Sequence, residues 1–401
     1  MDKFTRPLWF PILLLMLTIG SPLSPGAQEI TIIPSFSASG EYNDNVLFER
    51  SGELDDFIYN LTPGIGLDYA TESLTINSNA LLNFRRYTSE SFLDREDQYF
   101  NLRTLYRLTE RLDFRGRFYY LKDSTNESRL IDLDETAPDV IEVVDPGIER
   151  FLSERKRYDG WAALNYQLTE LSTLDGRYRY RKNTYDFEGN TDNEINEFDL
   201  TFLRRLEGQR DRIGAEISYF QNSSDVSDAD TYAFSLIWNH YFTEIWNVYA
   251  KAGVRYTEQD FSGRNDSETT WAGIANIRLL RIGENNRFSI GFRQNLQTAS
   301  DGRSVNVSRL YWDSRLDLTE RLFLNVEGDF YITREEGDST VDEDTVYFDV
   351  IPSLEYLLTE NFSVSLAYSY TVEYDRTLDT DEDIQRNRVW VFFEFVFPKY
   401  L

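Results

Sequence analysis

The chain has 401 residues and a formal net charge of −28, with 69 acidic and 41 basic side chains. A charge of this sign repels the phosphate backbone of nucleic acid, so we expect no nucleic-acid partner. The sequence has no cysteine and a single histidine. It therefore excludes disulfides, thiolate metal sites and multi-histidine zinc sites.

Residues 1–27 have the features of a secretory signal peptide. Lys3 and Arg6 form a short basic region, an apolar run follows over residues 8–19, and small residues precede position 28. An uncleaved anchor is the alternative, but the run is shorter than the about 20 apolar residues that a spanning helix needs. We therefore predict a signal peptide over residues 1–27 and one domain over residues 28–401.

The rest of the chain is a series of segments in which polar and apolar residues alternate. In residues 174–181, Leu174, Gly176, Tyr178 and Tyr180 alternate with one aspartate and three arginines, and residues 112–122, 322–332 and 362–374 follow the same rule. Successive side chains of a strand point to opposite faces of the sheet. Each segment is therefore predicted to be a strand with one apolar and one polar face.

The breaks between these segments alternate between short and long. Six of the short breaks carry Thr-Glu, at residues 71–72, 109–110, 169–170, 243–244, 319–320 and 359–360. The long breaks are rich in Asp, Glu, Asn, Ser and Gly, for example residues 43–56, 123–154 and 223–230. About 18 strands result, with 16 as the alternative, which is typical of an antiparallel up-and-down barrel of the bacterial outer membrane.

An even strand number places both termini and the short turns in the periplasm, and the acidic loops outside the cell. A soluble β-sandwich or propeller is the alternative fold, but neither accounts for loops that alternate in length along the whole chain. Aromatic residues at strand ends are expected to lie at the lipid headgroups. The candidates are Tyr87, Tyr120, Trp246, Tyr256, Trp271, Trp312, Tyr374 and Phe397. The aromatic alternation of residues 389–397 predicts recognition of the last strand by the barrel-insertion machinery.

The polar faces predict a wet lumen with charge on its walls, since a barrel of 16 to 18 strands encloses an aqueous channel. Arginines occupy the polar face in the first half of the chain and carboxylates occupy it in the last third. A transverse field across the pore is one interpretation, and ion pairs that only stabilise the wall are the other. The predicted basic wall consists of Arg103, Arg107, Arg115, Arg117, Arg177, Arg179, Arg181 and Arg205. The predicted acidic wall consists of Asp317, Glu327, Asp329, Glu373 and Glu394.

No residue set in the sequence favours catalysis or a cofactor. His240 is the only imidazole, and its alternation places it with Leu236 and Trp238 on the lipid face, so we expect a structural role. The acidic runs 338–345 and 379–383 lack the spaced ligands of a calcium loop and are interpreted as surface loops. The segment 123–154 mixes apolar and acidic residues, and either a surface lid or a loop bent into the barrel fits it. We predict no enzyme activity, no cofactor and no metal site.

The N-terminal part contains "ASGEYNDNVLFE", followed by a strand with Pro63, Gly64 and Gly66. These residues, with Tyr42, Asp44 and Asn45, resemble the beta-barrel porin 2 family of Gram-negative outer-membrane proteins. The resemblance implies a link to exopolysaccharide export, with a periplasmic polysaccharide-export protein as partner. The expected function is thus an outer-membrane exit pore for a polysaccharide. The alternatives are a general diffusion porin for small hydrophilic solutes and a structural or adhesive barrel that acts through its acidic loops.

Overall fold

The computed structural model describes residues 29–124, 153–187, 189–208, 210–262, 267–298, 304–335, 345–375 and 383–400. The predicted signal peptide, most of segment 123–154 and most of both acidic runs lie outside these ranges. Within them the chain forms strands joined by turns and loops, with one 3-10 turn at Ser91–Leu93. The strands are β1 (Glu29–Asn43), β2 (Asp56–Ala70), β3 (Leu74–Tyr87), β4 (Arg95–Thr109), β5 (Leu112–Ser124), β6 (Glu154–Gln167), β7 (Ser172–Tyr185), β8 (Asn193–Arg205), β9 (Asp211–Ser224), β10 (Ser227–Tyr241), β11 (Trp246–Phe261), β12 (Ser267–Ile282), β13 (Asn286–Thr298), β14 (Ser304–Asp317), β15 (Leu322–Glu335), β16 (Thr345–Thr359), β17 (Phe362–Asp375), β18 (Ile384–Val396) and β19 (Lys399–Tyr400).

The sheet closes on itself. Each of the eighteen long strands pairs antiparallel with the next one in sequence, and β18 returns to pair with β1, from Ser35 opposite Val396 to Asn43 opposite Arg388. The two-residue β19 continues this seam beside Thr31 and Ile32. The prediction of an eighteen-stranded antiparallel barrel is confirmed. In the described ranges, no helix has the length and apolarity needed to cross a membrane.

The Thr-Glu breaks are tight turns that the threonine hydroxyl stabilises. Thr319 Oγ1 accepts hydrogen bonds from the backbone N–H of Arg321 and Leu322, at 3.2 and 3.0 Å. Thr243 Oγ1 accepts the corresponding bonds from Ile245 and Trp246 at 3.3 and 3.2 Å. Such local bonds satisfy backbone donors that the strand ladder leaves open. The barrel end that carries these turns is called the turn end here, and the opposite end the loop end.

The prediction of a long loop at residues 223–230 is wrong. Residues 223–230 were expected to form a hydrated loop, but β9 runs to Ser224 and β10 begins at Ser227. The hydroxyl of Ser224 accepts the N–H of Ser227 at 3.0 Å and closes a two-residue turn. The polar composition of this segment reflects strands that extend past the apolar band, where both faces meet water.

The register assigns every side chain to the inner or the outer face, because directly paired residues share a face. The outer face is apolar and exposed: Trp271 is 71% exposed and Leu236 is 60% exposed. A closed sheet pairs its own backbone groups, so this surface suits the hydrocarbon of a membrane. Of the eight aromatic residues predicted to lie at the lipid headgroups, seven do not lie on the inner face. Tyr87 is the exception, because it pairs with Ile58 on the inner face and is 7% exposed.

Candidate functional site: the lumen of the barrel

All thirteen side chains of the two predicted charged walls lie on the inner face. The basic set occupies β4, β5, β7 and β8, and the acidic set occupies β14, β15, β17 and β18. In a closed barrel of eighteen strands these two groups lie on different arcs of the wall. They therefore face each other across the lumen.

Each wall also contains the opposite charge. Among the described residues, the inner face of β4–β8 carries eleven arginines and seven carboxylates. The inner face of β14–β18 carries eight carboxylates and four arginines whose side chains are described. The excess charge is positive on β4–β8 and negative on β14–β18, as predicted, but it is smaller than the sequence pattern alone indicated.

Ion pairs across neighbouring strands account for much of this compensation. Arg177 donates to Asp199 on β8 through Nε at 2.9 Å and Nη2 at 2.8 Å. On β6, Asp159 accepts from Arg179 at 2.9 and 2.5 Å and from Arg181 at 3.3 Å. Arg179 makes a bidentate pair with both oxygens of Asp159, whereas both bonds of Arg177 end on Asp199 Oδ2, and both contacts hold the guanidinium groups against the wall. Part of the predicted basic wall therefore stabilises the barrel.

Four more of the predicted residues have partners on the inner wall. Arg115 contacts Asp175, and Arg117 donates to Asn101 at 3.1 Å. On the acidic arc, Asp329 accepts from Arg309 at 2.5 Å, and Asp317 lies 3.5 Å from Arg315. The Arg309–Asp329 pair joins neighbouring strands, the Arg315–Asp317 pair lies within β14, and the Arg115–Asp175 pair reaches across β6 from β5 to β7. The sequence could not show them, because the register decides which residues meet.

Exposure on the inner face changes along the barrel axis. Near the turn end, Arg315 is 45% exposed, and Glu327 is exposed in mid-strand. Near the loop end, Arg85 and Arg155 are fully buried, and Asn193 is 1% exposed. The turn half of the lumen is therefore open to water, and the loop half is packed.

The first loop, residues 44–55, contributes to this packing because it folds into the lumen. Asp44 accepts from the backbone N–H of Asn387 at 2.6 Å and from its Nδ2 at 2.8 Å, on β18. The buried Asn45 donates through Nδ2 to the carbonyls of Gln385 at 3.0 Å and Glu49 at 2.8 Å. The Asp-Asn pair of the sequence motif is thus an anchor that fixes this loop to the last strand.

From this anchor, the loop reaches two separate parts of the inner wall. Val46 packs with inward residues of β2 and β3, in a buried cluster of Val46, Ile58, Tyr87 and Leu93. Phe48 packs against a second cluster on β14–β16, formed by Val305, Val307, Tyr331 and Tyr347. The loop therefore bridges two arcs of the wall across the loop end.

Phe48 is held in an uncommon backbone conformation. Its φ is +54°, in the left-handed region that a bulky residue rarely adopts. The Arg386 guanidinium lies 4.7 Å from the centre of its ring, which is a favourable cation–π distance. The packing of the ring compensates the backbone strain, so the conformation is specified by tertiary contacts. Sequence reasoning missed this loop, although its run of Val46, Leu47 and Phe48 is an apolar signal inside an expected hydrated segment.

Aromatic rings on the inner face can stack on sugar rings, and the candidates for this are Tyr119, Tyr249, Tyr311 and Tyr331. All four lie on the inner face. Tyr331 is stacked on Tyr347 with ring centres 4.6 Å apart, and Tyr119 packs on Tyr99 at 5.3 Å. These two rings therefore pack in the wall.

His240 lies on the outer face near the turn end, as its alternation predicted. Its Nδ1 is 2.7 Å from Asp211 Oδ1, which also accepts from Trp238 Nε1 at 3.0 Å. The imidazole stacks on Trp238 and contacts Phe242. This arrangement orients an interfacial aromatic cluster. In the part of the chain that the structure describes, no group of three or more Asp, Glu or His side chains is arranged to hold a metal ion.

No family model and no curated protein matches the chain. Among solved structures, the chain is similar to the outer membrane protein OpdK from Pseudomonas aeruginosa, with 9% identity and a TM-score of 0.47, covering 91% of this chain and 99% of that one. It is also similar to the outer membrane channel DcaP of Acinetobacter baumannii, with 11% identity, a TM-score of 0.46 and coverage of 93% and 99%. The ferric citrate transporter FecA gives 11% identity and a TM-score of 0.47, and the chain covers 63% of its length. Similarity at this level identifies neither a family nor a substrate.

Proposed function

We propose that the protein is an outer-membrane channel for hydrophilic solutes, with its turn end in the periplasm. The observation that carries this proposal is the two-faced wall. Its outer face exposes large apolar side chains such as Trp271 and Leu236, and its inner face in the turn half is charged and accessible to water. A barrel of this strand number is wide enough for an aqueous path.

The finer proposal is that the solute is a secreted polysaccharide, delivered from the periplasm by an export protein. It is supported by the sequence resemblance around Tyr42, Asp44 and Asn45. The loop half would have to open for a polymer, since the first loop bridges the wall there. Deletion of the gene is expected to abolish surface polysaccharide, and complementation is expected to restore it. Unchanged secretion in the deletion strain would contradict the proposal that the solute is a polysaccharide, but not the proposal that the protein is a channel.

A diffusion porin for small solutes is the second candidate, and the packed loop half favours it. A narrowed lumen passes small molecules more easily than a chain of sugars. Purified full-length protein in planar lipid bilayers is expected to give stepwise conductance. Uptake of small sugars into liposomes, with polysaccharide secretion unaffected in cells, would select the porin. A barrel that never conducts would contradict both candidates and favour the structural or adhesive barrel.

We further propose that the unequal charge of the two arcs produces a field across the lumen. Replacement of Arg177 and Arg179 by glutamine is expected to shift the reversal potential in a salt gradient towards cation selectivity, because two positive charges leave the wall. Arg204→Gln with Arg281→Gln is the control, because it removes the same charge from the outer face. An equal shift in both double variants would refute the field.

A further inference from the structure

A second basic region lies on the inner face of β11–β13, outside the predicted walls. In the described part of these strands, five basic side chains face inward against one carboxylate, Glu268. Four of them are accessible from the lumen, whereas Arg255 is 2% exposed near the loop end. We call these four the basic strip: Lys251, Arg278, Arg287 and Arg293.

Strands β11–β13, which carry the strip, have a higher ratio of basic to acidic inward side chains than β4–β8 or β14–β18. Lys251 is neutralised by Glu216 on β9. Arg278 pairs in register with Tyr249 and Gly291, neither of which carries a negative charge. Its Nε is buried and makes no hydrogen bond within the described residues. The Nε is enclosed, so a carboxylate in the lumen would bind the terminal N–H groups of this half-buried side chain.

Tyr311 orders the neighbouring cations. It pairs with Gly291, and a Cβ built on this glycine would lie 2.3 Å from Tyr311 Cζ, so the ring occupies the space above the glycine. Arg293 and Arg309 lie 5.9 and 5.4 Å from the centre of the same ring. A packed ring that contacts two guanidiniums restricts their motion, which lowers the entropy lost when an anion binds.

We propose that the basic strip is a binding site for carboxylate groups, and that the solute of this channel is an acidic saccharide. Guanidinium groups bind carboxylates through paired, charge-assisted hydrogen bonds. The strip lies in the water-accessible turn half, where a solute from the turn end meets it before the packed loop half. The inference rests on the proposed channel function.

The test uses the purified full-length barrel in planar bilayers, with trigalacturonate as the acidic probe and maltotriose as its uncharged counterpart. Trigalacturonate is expected to block the wild-type current at lower concentration than maltotriose. The double variant Arg278→Gln with Arg293→Gln is expected to weaken the trigalacturonate block by about tenfold or more, since charged hydrogen bonds are lost. Maltotriose block is expected to stay the same. Arg204→Gln with Arg281→Gln is the matched control, because it also removes two arginines but from the outer face.

Folding of each variant is checked by its heat-modified mobility in gels, and Arg278→Lys, which retains the charge, is expected to keep part of the block. If trigalacturonate blocked the wild type and the double variant equally, the proposal that the basic strip binds carboxylates would be overturned. A wild-type barrel without conductance would refute the channel instead. Calorimetric titration of trigalacturonate into the detergent-solubilised barrel then decides the strip independently, and absence of binding would overturn it.

Discussion

Phe48 offers a direct test of whether the first loop narrows the lumen. Complete truncation of a buried phenylalanine to alanine costs about 3–5 kcal/mol. Phe48 is half-buried against Val305, Val307 and the stacked tyrosines, so about 2 kcal/mol is expected from packing. The contact with Arg386 adds about 1 kcal/mol. Because each 1.4 kcal/mol is about a factor of ten, Phe48→Ala should shift the equilibrium between the docked and released loop by about 100-fold.

The measurement is single-channel conductance of the purified protein. Phe48→Ala is expected to show a higher conductance level, or more time in it, because the released loop leaves the loop end open. Asn45→Ala should act in the same direction, since it removes the bonds to Gln385 and Glu49. Phe92→Ala is the control, because Phe92 also lies in a loop but is 68% exposed. Identical conductance in the wild type, Phe48→Ala and Asn45→Ala would refute the assignment of the first loop as the constriction.

Other predictions concern stability, measured by urea unfolding of the barrel in lipid vesicles. Asp159→Asn leaves Arg179 and Arg181 without their shared carboxylate in a buried site and should lower the free energy of unfolding by about 3 kcal/mol; a loss below about 1 kcal/mol would show that the arginines find other partners. Leu236→Arg on the outer face should cost about 2–4 kcal/mol, whereas Leu236→Val should cost far less, and equal losses would contradict a lipid contact there. Thr319→Ala removes one acceptor from an exposed turn and should cost about 1 kcal/mol or less; a larger loss would mean that this turn controls the register.

The strands and their faces were readable from the sequence because a strand has a period of two residues and each of its faces meets a different solvent. Leu236 and His240 were placed on the outer face by this rule, and the register confirms both. A different expectation failed at Tyr87, at the end of β3, where an aromatic residue at a strand end was predicted to lie at the lipid headgroups. There the inner face is covered by the first loop, so an aromatic residue is buried inside the barrel.

The contacts within the lumen were not readable in this way. Arg177 meets Asp199 because β7 and β8 align in one register, and 22 residues separate the two in sequence. The basic strip was missed for a related reason. The inward residues have even numbers on β12 and odd numbers on β13, so Arg278 and Arg293 share a face only after the intervening turn has shifted the parity.

The anchor of the first loop has a consequence for biogenesis. Asp44 and Asn45 directly follow β1 and bind the backbone of β18, so these bonds connect the first strand with the last long strand. These bonds can form only after β1 and β18 have paired. A chain arrested before that step would retain a wide mouth, and the permeability barrier would be completed by the same event that completes the cylinder. Closure of the loop end is thus coupled to the pairing of β1 with β18, which is the most non-local pairing of the fold.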